Sequence, residues 1–89
     1  MHQWLNEELV NICGIVVAIA PTDMEGALTA LRALDGVEVH HIDLASHRVM
    51  VTQETISTEQ EEEGLRSIQA VPGVLNTQLV YHWFEDSKQ

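Results

Sequence analysis

The amino-acid sequence predicts an α+β sandwich of the split βαβ type, in which two helices cover one face of a four-stranded antiparallel sheet. Three observations lead to this fold class. A chain of 89 residues suffices for one small domain. The segment Asn11–Ile19 is almost continuously apolar, as expected of a strand in the middle of a sheet. The pattern Ala-Leu-Asp-Gly-Val at 33–37 returns as Ala-Val-Pro-Gly-Val at 70–74, which indicates two similar halves.

The first half of the chain has the pattern strand, helix, strand. Pro21 ends the apolar strand, and Thr22-x-x-Glu25 has the form of a capping box that begins a helix. The predicted helix, Asp23–Leu34, ends before a glycine, and Val37–Leu44 is the predicted second strand. The helix carries one apolar stripe at helical spacing, made of Met24, Ala27, Leu28, Leu31 and Leu34.

The second half repeats this pattern. His47–Gln53 is the predicted third strand, joined to the second by a hairpin around Ala45-Ser46. Thr58-x-x-Glu61 is a second capping box, followed by a predicted helix over Glu59–Val71 and a last strand over Leu75–Trp83. The inward stripe of this helix is Leu65, Ile68 and Val71.

Two right-handed βαβ halves of this kind interleave into a ferredoxin-like sheet with the strand order 4-1-3-2. The order β-α-β-β-α-β places the first and third strands in the middle. We expect residues 1–89 to form a single domain, with an N-terminal extension over residues 1–10 and a frayed tail over residues 85–89.

Charge restricts the partners. Fourteen acidic residues against four basic ones give a net charge of −10, which excludes nucleic acids and anionic membranes as ordinary partners. The charge favours a basic partner, or it only keeps the protein soluble. No apolar segment reaches the ~18 residues that a membrane span requires. The residues before Asn11 carry no Lys or Arg, so we expect no secretory signal, and the single Cys13 agrees with the reducing cytoplasm.

The residues that could carry chemistry are poorly placed for it. His40 and His41 are adjacent, and neighbours on a regular strand point to opposite faces, so they cannot share a metal ion. Cys13 lies inside an apolar strand without a basic neighbour, which predicts an inert core thiol. The arginines do not lie in a glycine-rich anion loop. We therefore expect no catalytic residues, no metal site, no cofactor and no enzymatic activity.

The face of the sheet away from the helices is the candidate site. If Cys13, Ile15, Val17 and Ile19 pack under the helices, the small residues between them form an outward trough. Such a trough could bind a helix or an extended peptide, or a second copy of the chain could cover it in a homodimer. The candidate peptide-binding residues are Gly14, Val16 and Ala18 of the first strand and Arg48, Met50 and Thr52 of the third.

The last strand leaves its own orientation open. Alternate residues of this strand form one apolar set and one mostly polar set. The sequence does not decide which of the two sets faces the helices. The sets are Leu75, Leu79 and Tyr81, and Asn76, Gln78, Val80 and His82.

The chain resembles the NapD family, the cytoplasmic chaperones of the periplasmic nitrate reductase. The resemblance runs from the first strand to the last and is carried by Cys13-Gly-Ile-Val-Val17, Gly36-Val-Glu-Val39, Pro72-Gly-Val-Leu75 and Leu79-Val-Tyr-His82. It implies a ferredoxin-like fold and binding of the twin-arginine signal peptide of the molybdenum-containing catalytic subunit. Binding would hold back export until the molybdenum cofactor is inserted.

A second function class shares the same element order: dimeric small-molecule regulatory modules of the ACT type. The Leu79-Val-Tyr-His82 ending favours the chaperone. A signal peptide with a basic start and an apolar stretch would suit both the acidic charge and the uncovered face. The carboxylates in or next to strands that could meet its basic residues are Glu38, Asp43, Glu54, Glu85 and Asp86.

Overall fold

The computed structural model describes residues 9–86, with side chains from residue 10 to residue 83. In this part of the chain, four strands and two helices follow one another in the order β-α-β-β-α-β, which confirms the fold class. No helix of the described residues is long and apolar enough to cross a membrane. The elements are β1 (Leu9–Ile19), α1 (Met24–Ala33), β2 (Val37–Asp43), β3 (Arg48–Thr55), α2 (Thr58–Gln69) and β4 (Val74–Asp86).

The four strands form one antiparallel sheet in the order β2-β3-β1-β4, which is the predicted order read from the other edge. β1 lies between β3 and β4 and pairs with both over most of its length. The bulky residues of this segment, Cys13, Ile15, Val17 and Ile19, are buried under the helices, and the smaller Val16 and Ala18 on the other face are half-buried.

The hydrophobic core lies between the sheet and the helices. Alternate residues of β1 point into it, and Val17 has no exposed surface. Leu31 of α1 and Ile68 of α2 are equally buried, so both predicted helix stripes face the sheet. Burying each side chain of this size stabilises the fold by roughly 1.5–3 kcal/mol. The buried apolar residues are Cys13, Ile15, Val17, Ile19, Ala27, Leu31, Val37, Val49, Val51, Ile68 and Val71.

The first predicted capping box is wrong. Pro21–Asp23 forms a single 3₁₀ turn, and the residue that precedes α1 is Asp23, whose side chain makes no capping hydrogen bond. The fixed φ of Pro21 suits the first position of a helical turn, so the chain begins to wind before Thr22. Thr22 therefore lies inside the turn, where it cannot adopt the extended conformation of an N-cap.

The second predicted capping box, Thr58-x-x-Glu61, is also wrong, because the helix is capped one residue earlier. Ser57 is the N-cap, and its hydroxyl accepts a hydrogen bond from the Gln60 N–H at 3.1 Å. The Gln60 side-chain oxygen in turn accepts from the Ile56 N–H at 3.1 Å. Because Gln60 and not Glu61 takes part in the cap, the Glu61 side chain is available for a contact with the sheet.

The repeated glycines have the conformation that their position requires. Gly36, after α1, has φ 77°, and Gly73, after α2, has φ 97°. Both angles lie in the left-handed region that side chains with a Cβ atom disfavour. The internal repeat therefore reflects the same helix-to-strand turn made twice.

The pair formed by β1 and β4 is longer than predicted. β1 begins at Leu9, inside the predicted N-terminal extension, and β4 continues to Asp86, inside the predicted tail, because these two residues pair with each other. Residues 1–8 and 87–89 lie outside the described part of the chain. The assignment of residues 1–89 to a single domain stays a prediction.

Candidate functional site

The six candidate residues lie together on the face of the sheet opposite the helices, called the open face below. They form three directly opposed pairs across β1 and β3, and opposed residues of antiparallel strands point to the same side. Val16, Ala18 and Met50 are half-buried, while Arg48 is exposed. The pairs are Gly14 with Thr52, Val16 with Met50, and Ala18 with Arg48.

The predicted trough is partly filled at Gly14. The residue has almost no exposed surface because the ring of Tyr81 lies directly over it, where a Cβ atom would collide with the ring. An aromatic ring over a cross-strand glycine is a known means of fixing strand register. The centre of the open face is therefore an aromatic surface at Gly14 and a shallow aliphatic one at Val16 and Ala18.

A bulge in β4 explains why the orientation of this strand could not be decided. Tyr81 is opposite Gly14 and Leu79 is opposite Ile15, so Val80 is an extra residue between them. Leu79 thus shares the helix side with Ile15, whereas Tyr81 shares the open face with Gly14. The alternating apolar residues Leu79 and Tyr81 therefore lie on different faces of the sheet.

The same bulge brings Trp83 onto the open face, opposite Ile12. The residue is 58% exposed and Tyr81 is 45% exposed, so the two aromatic side chains offer a large apolar surface to solvent. The sequence pattern alone indicates no role for Trp83. The signal that could have identified this pair is Gly14 itself, since a glycine inside a buried strand often marks a close approach by another group.

One end of the open face is acidic. A depression of about 430 Å³ lies between β1, β2 and β3, and Glu38 and Glu54 line it. The register places both on the open face, Glu38 opposite Thr52 and Glu54 opposite Ile12. The His40 ring nitrogen Nε2 lies 2.6 Å from the Thr52 hydroxyl and 3.5 Å from a Glu38 carboxylate oxygen. Two of the five candidate carboxylates therefore meet at one polar depression.

The remaining candidate carboxylates are placed differently. Asp43 is opposite Arg48 at the other end of the face, and its carboxylate accepts hydrogen bonds from the turn that follows. Glu85 and Asp86 lie in β4, but their side chains are outside the described side-chain positions.

The expectation that His40 and His41 point to opposite faces is wrong. A bulge in β2 lies between Val39 and His41, so the strand is not regular there. His40 contacts Thr52 and His41 is opposite Met50, which places both histidines on the open face.

Cys13 is a core thiol, as predicted. It is 3% exposed and donates a hydrogen bond to a Glu61 carboxylate oxygen at 3.0 Å. Burial, together with the hydrogen bond and charge of Glu61, raises the pKa of Cys13 to about 12. The thiol is therefore protonated at neutral pH and unreactive as a nucleophile. The contact with Glu61 is not predictable from the sequence, in which Glu61 has the position of a helix-cap residue.

Comparison with known proteins gives a consistent family. A family model described as NapD protein matches residues 10–86. The relatives named Chaperone NapD from Escherichia coli (strain K12) and from Shigella flexneri are each 32% identical over 76 residues, which is 85% of this chain and 87% of the relative. The solution structure of the E. coli Tat proofreading chaperone protein NapD matches with a TM-score of 0.77 and 29% identity, and covers 90% of this chain and 83% of that one.

Proposed function

This chain belongs to the NapD family, and from that premise we propose that it is a chaperone for a twin-arginine signal peptide, which it binds on the open face of its sheet. The peptide is that of the catalytic subunit of a periplasmic nitrate reductase. Binding in the cytoplasm holds back export until the molybdenum cofactor has been inserted, and it requires no catalysis by the chaperone.

The observation that carries the proposal is the open face itself. Val16, Ala18 and Met50 form a shallow apolar centre, and Tyr81 and Trp83 border it on the β4 side. Exposed apolar surfaces of this kind are typical of peptide-binding sites. An apolar stretch of a signal peptide, laid across the small side chains of β1, could approach the backbone of the sheet closely.

The acidic depression is the proposed binding site for the two arginines of the signal peptide. Carboxylates hold guanidinium groups through two parallel charge-assisted hydrogen bonds, a geometry that lysine cannot reproduce. Glu38 and Glu54 lie at one end of the open face, and the cation of Arg48 lies at the other. At that other end Asp43 lies opposite Arg48 and offsets its charge. The attraction of the two glutamates therefore favours a bound orientation in which the arginine pair lies over Glu38 and Glu54 and the apolar stretch extends toward Ala18.

The proposal is tested by titrating a synthetic twin-arginine signal peptide into the protein while following backbone amide shifts by NMR. Shifts should concentrate on the open face of β1, β3 and β4. Ala18→Glu should leave the fold intact because the side chain can reach solvent, and it should weaken binding at least about tenfold, since a charge must be desolvated beneath the peptide. Glu54→Gln should weaken binding of the twin-arginine peptide more than that of a twin-lysine peptide.

Val17→Glu is the matched control for Ala18→Glu. Val17 is fully buried on the helix side, so an unpaired carboxylate there should unfold the domain, at a cost of roughly 3–5 kcal/mol. Normal peptide binding by a folded Ala18→Glu protein would place the peptide elsewhere. If the open face is instead the contact between two copies of the chain, Ala18→Glu would turn a dimer into a monomer, as measured by sedimentation.

A further inference from the structure

Three potential metal ligands converge on the helix side of the sheet. The Cys13 sulfur lies 3.0 Å from a Glu61 carboxylate oxygen, and the His82 ring nitrogen Nε2 lies 3.5 Å from the same oxygen. One ligand atom from each of the three residues lies within 4.8 Å of the others. In the described part of the chain, this is the one group of three such residues at that spacing.

The three residues come from three different elements and are held in place by the fold. Cys13 of β1 and His82 of β4 are directly opposed in the sheet, and Glu61 reaches them from the first turns of α2. The position of that turn is fixed by Gln53, a buried residue of β3 opposite Cys13, whose side-chain amide donates to the Glu61 backbone carbonyl at 3.1 Å. Gly64, one turn further along α2, allows the helix to approach Gln53 closely.

We propose that Cys13, Glu61 and His82 form a binding site for a thiophilic divalent cation, with Zn²⁺ as the physiological candidate. Zinc accepts thiolate, imidazole and carboxylate ligands together, at bond lengths of about 2.0–2.3 Å in tetrahedral geometry. Those bond lengths place ligand atoms about 3.3–3.6 Å apart. The two separations from Glu61 are 3.0 and 3.5 Å, and the atoms of Cys13 and His82 lie within 4.8 Å of each other, so small side-chain movements would complete the geometry. Three protein ligands leave a fourth position for water or for a ligand from a partner.

The charges of the site balance when the ion is bound. The cation displaces the proton of the Cys13 thiol, which leaves to solvent, and the thiolate and the Glu61 carboxylate then neutralise the two positive charges. Cys13 is buried, Glu61 is partly buried and His82 is exposed, so the ion can enter from the His82 side. Gln53 would serve as a positioning residue because it fixes the turn that carries Glu61.

The test uses the full 89-residue chain and Co²⁺, which has visible absorption that Zn²⁺ lacks. One equivalent of Co²⁺ should produce a thiolate-to-cobalt charge-transfer band and the intense d–d bands of a tetrahedral site, and Zn²⁺ should displace both. Glu61→Gln and His82→Gln should each weaken binding by roughly 100-fold or more, beyond the effect of losing a residue that only orients a ligand. Both variants change residues outside the buried core, so their amide spectra should remain those of a folded protein.

His40→Gln is the matched control, since His40 is an exposed histidine on the opposite face, and it should bind Co²⁺ like the wild type. Cys13→Ser should lose the charge-transfer band. A chain this acidic can also bind cations through surface carboxylates alone. Binding without a charge-transfer band, or binding of unchanged strength in folded Glu61→Gln and His82→Gln, would overturn the site.

Discussion

The carboxylate of Asp43 shapes the turn between β2 and β3. Its Oδ1 atom accepts hydrogen bonds from the backbone N–H groups of Ala45 at 3.1 Å and Ser46 at 3.3 Å. His47, the last residue of the turn, has φ 58°, an uncommon value for a residue with a side chain. A turn without Asn-Gly or Asp-Gly is thus made by an aspartate that bonds to the backbone two and three residues ahead.

The hydrogen bonds of this turn lower the pKa of the Asp43 carboxyl group. Hydrogen bonds from the Ser46 side chain and from the Ser46 and Ala45 backbone hold the pKa of Asp43 below its ordinary value. Because the folded-state pKa is the lower one, the ionised carboxylate stabilises the turn above the unfolded-state pKa. This stabilisation is lost as pH falls through the folded-state value.

NMR titration of the Asp43 carboxyl carbon should therefore give a midpoint below that of an unstructured aspartate. The Ala45 and Ser46 amide shifts should follow the same curve. In Asp43→Asn, which keeps an acceptor oxygen but does not titrate, those two amides should no longer respond. A midpoint at or above the ordinary value would contradict the hydrogen bonding described for this turn.

At the scale of the elements, the sequence predicts best where burial is strongest. β1 and β3 alternate regularly beneath the helices, so the facing of Gly14, Val16 and Ala18 could be derived from the bulky residues between them. β4 is an edge strand whose alternation is interrupted at Val80, and no local pattern predicts where an extra residue will be inserted. The cap of α2 shows a similar limit: Ser57 and Thr58 are both favourable N-cap residues, and in the structure Ser57 has the extended backbone of the N-cap.

Two glycines allow a prediction about the stability of the elements, because a substitution at one is the control for the same substitution at the other. Gly36→Ala should destabilise the fold by roughly 1–3 kcal/mol, because φ is positive there and a Cβ atom would meet the Glu54 backbone carbonyl. Gly26→Ala lies in α1 with open space around it and should stabilise the fold by about 0.5–1 kcal/mol. Urea unfolding followed by circular dichroism measures both. Equal effects of the two substitutions would contradict the turn geometry at Gly36.

At the scale of the whole molecule, two properties were predictable from composition and order alone. The repeated helix-to-strand turn determined the topology, and the net charge of −10 restricted the partners. The convergence of Cys13, Glu61 and His82 could not be predicted, because it depends on a cap, a bulge and a close helix-to-sheet approach that act together. Contacts between distant segments follow from packing rather than from local patterns.

The overall charge predicts salt-dependent association with the signal peptide. Raising ionic strength from low to physiological values should slow association roughly tenfold while changing the dissociation rate much less, because screening weakens long-range attraction more than short-range contacts. Stopped-flow fluorescence with a dye-labelled peptide measures both rates. A peptide with both arginines replaced by glutamine is the control and should show a smaller salt effect. A salt-independent association rate for the arginine peptide would exclude electrostatic steering.

The extra residue at Val80 determines which face of the sheet each later residue of β4 points to. Tyr81 and His82 are neighbours in the chain, yet Tyr81 covers Gly14 on the open face while His82 joins Cys13 and Glu61 on the other. A substitution at Val80 preserves this assignment, whereas deleting the residue would exchange the two faces for every position that follows. Deleting Val80 would therefore remove Tyr81 from the open face and His82 from the ligand cluster at the same time. The length of the chain at this point matters for both surfaces more than the chemical type of the residue does.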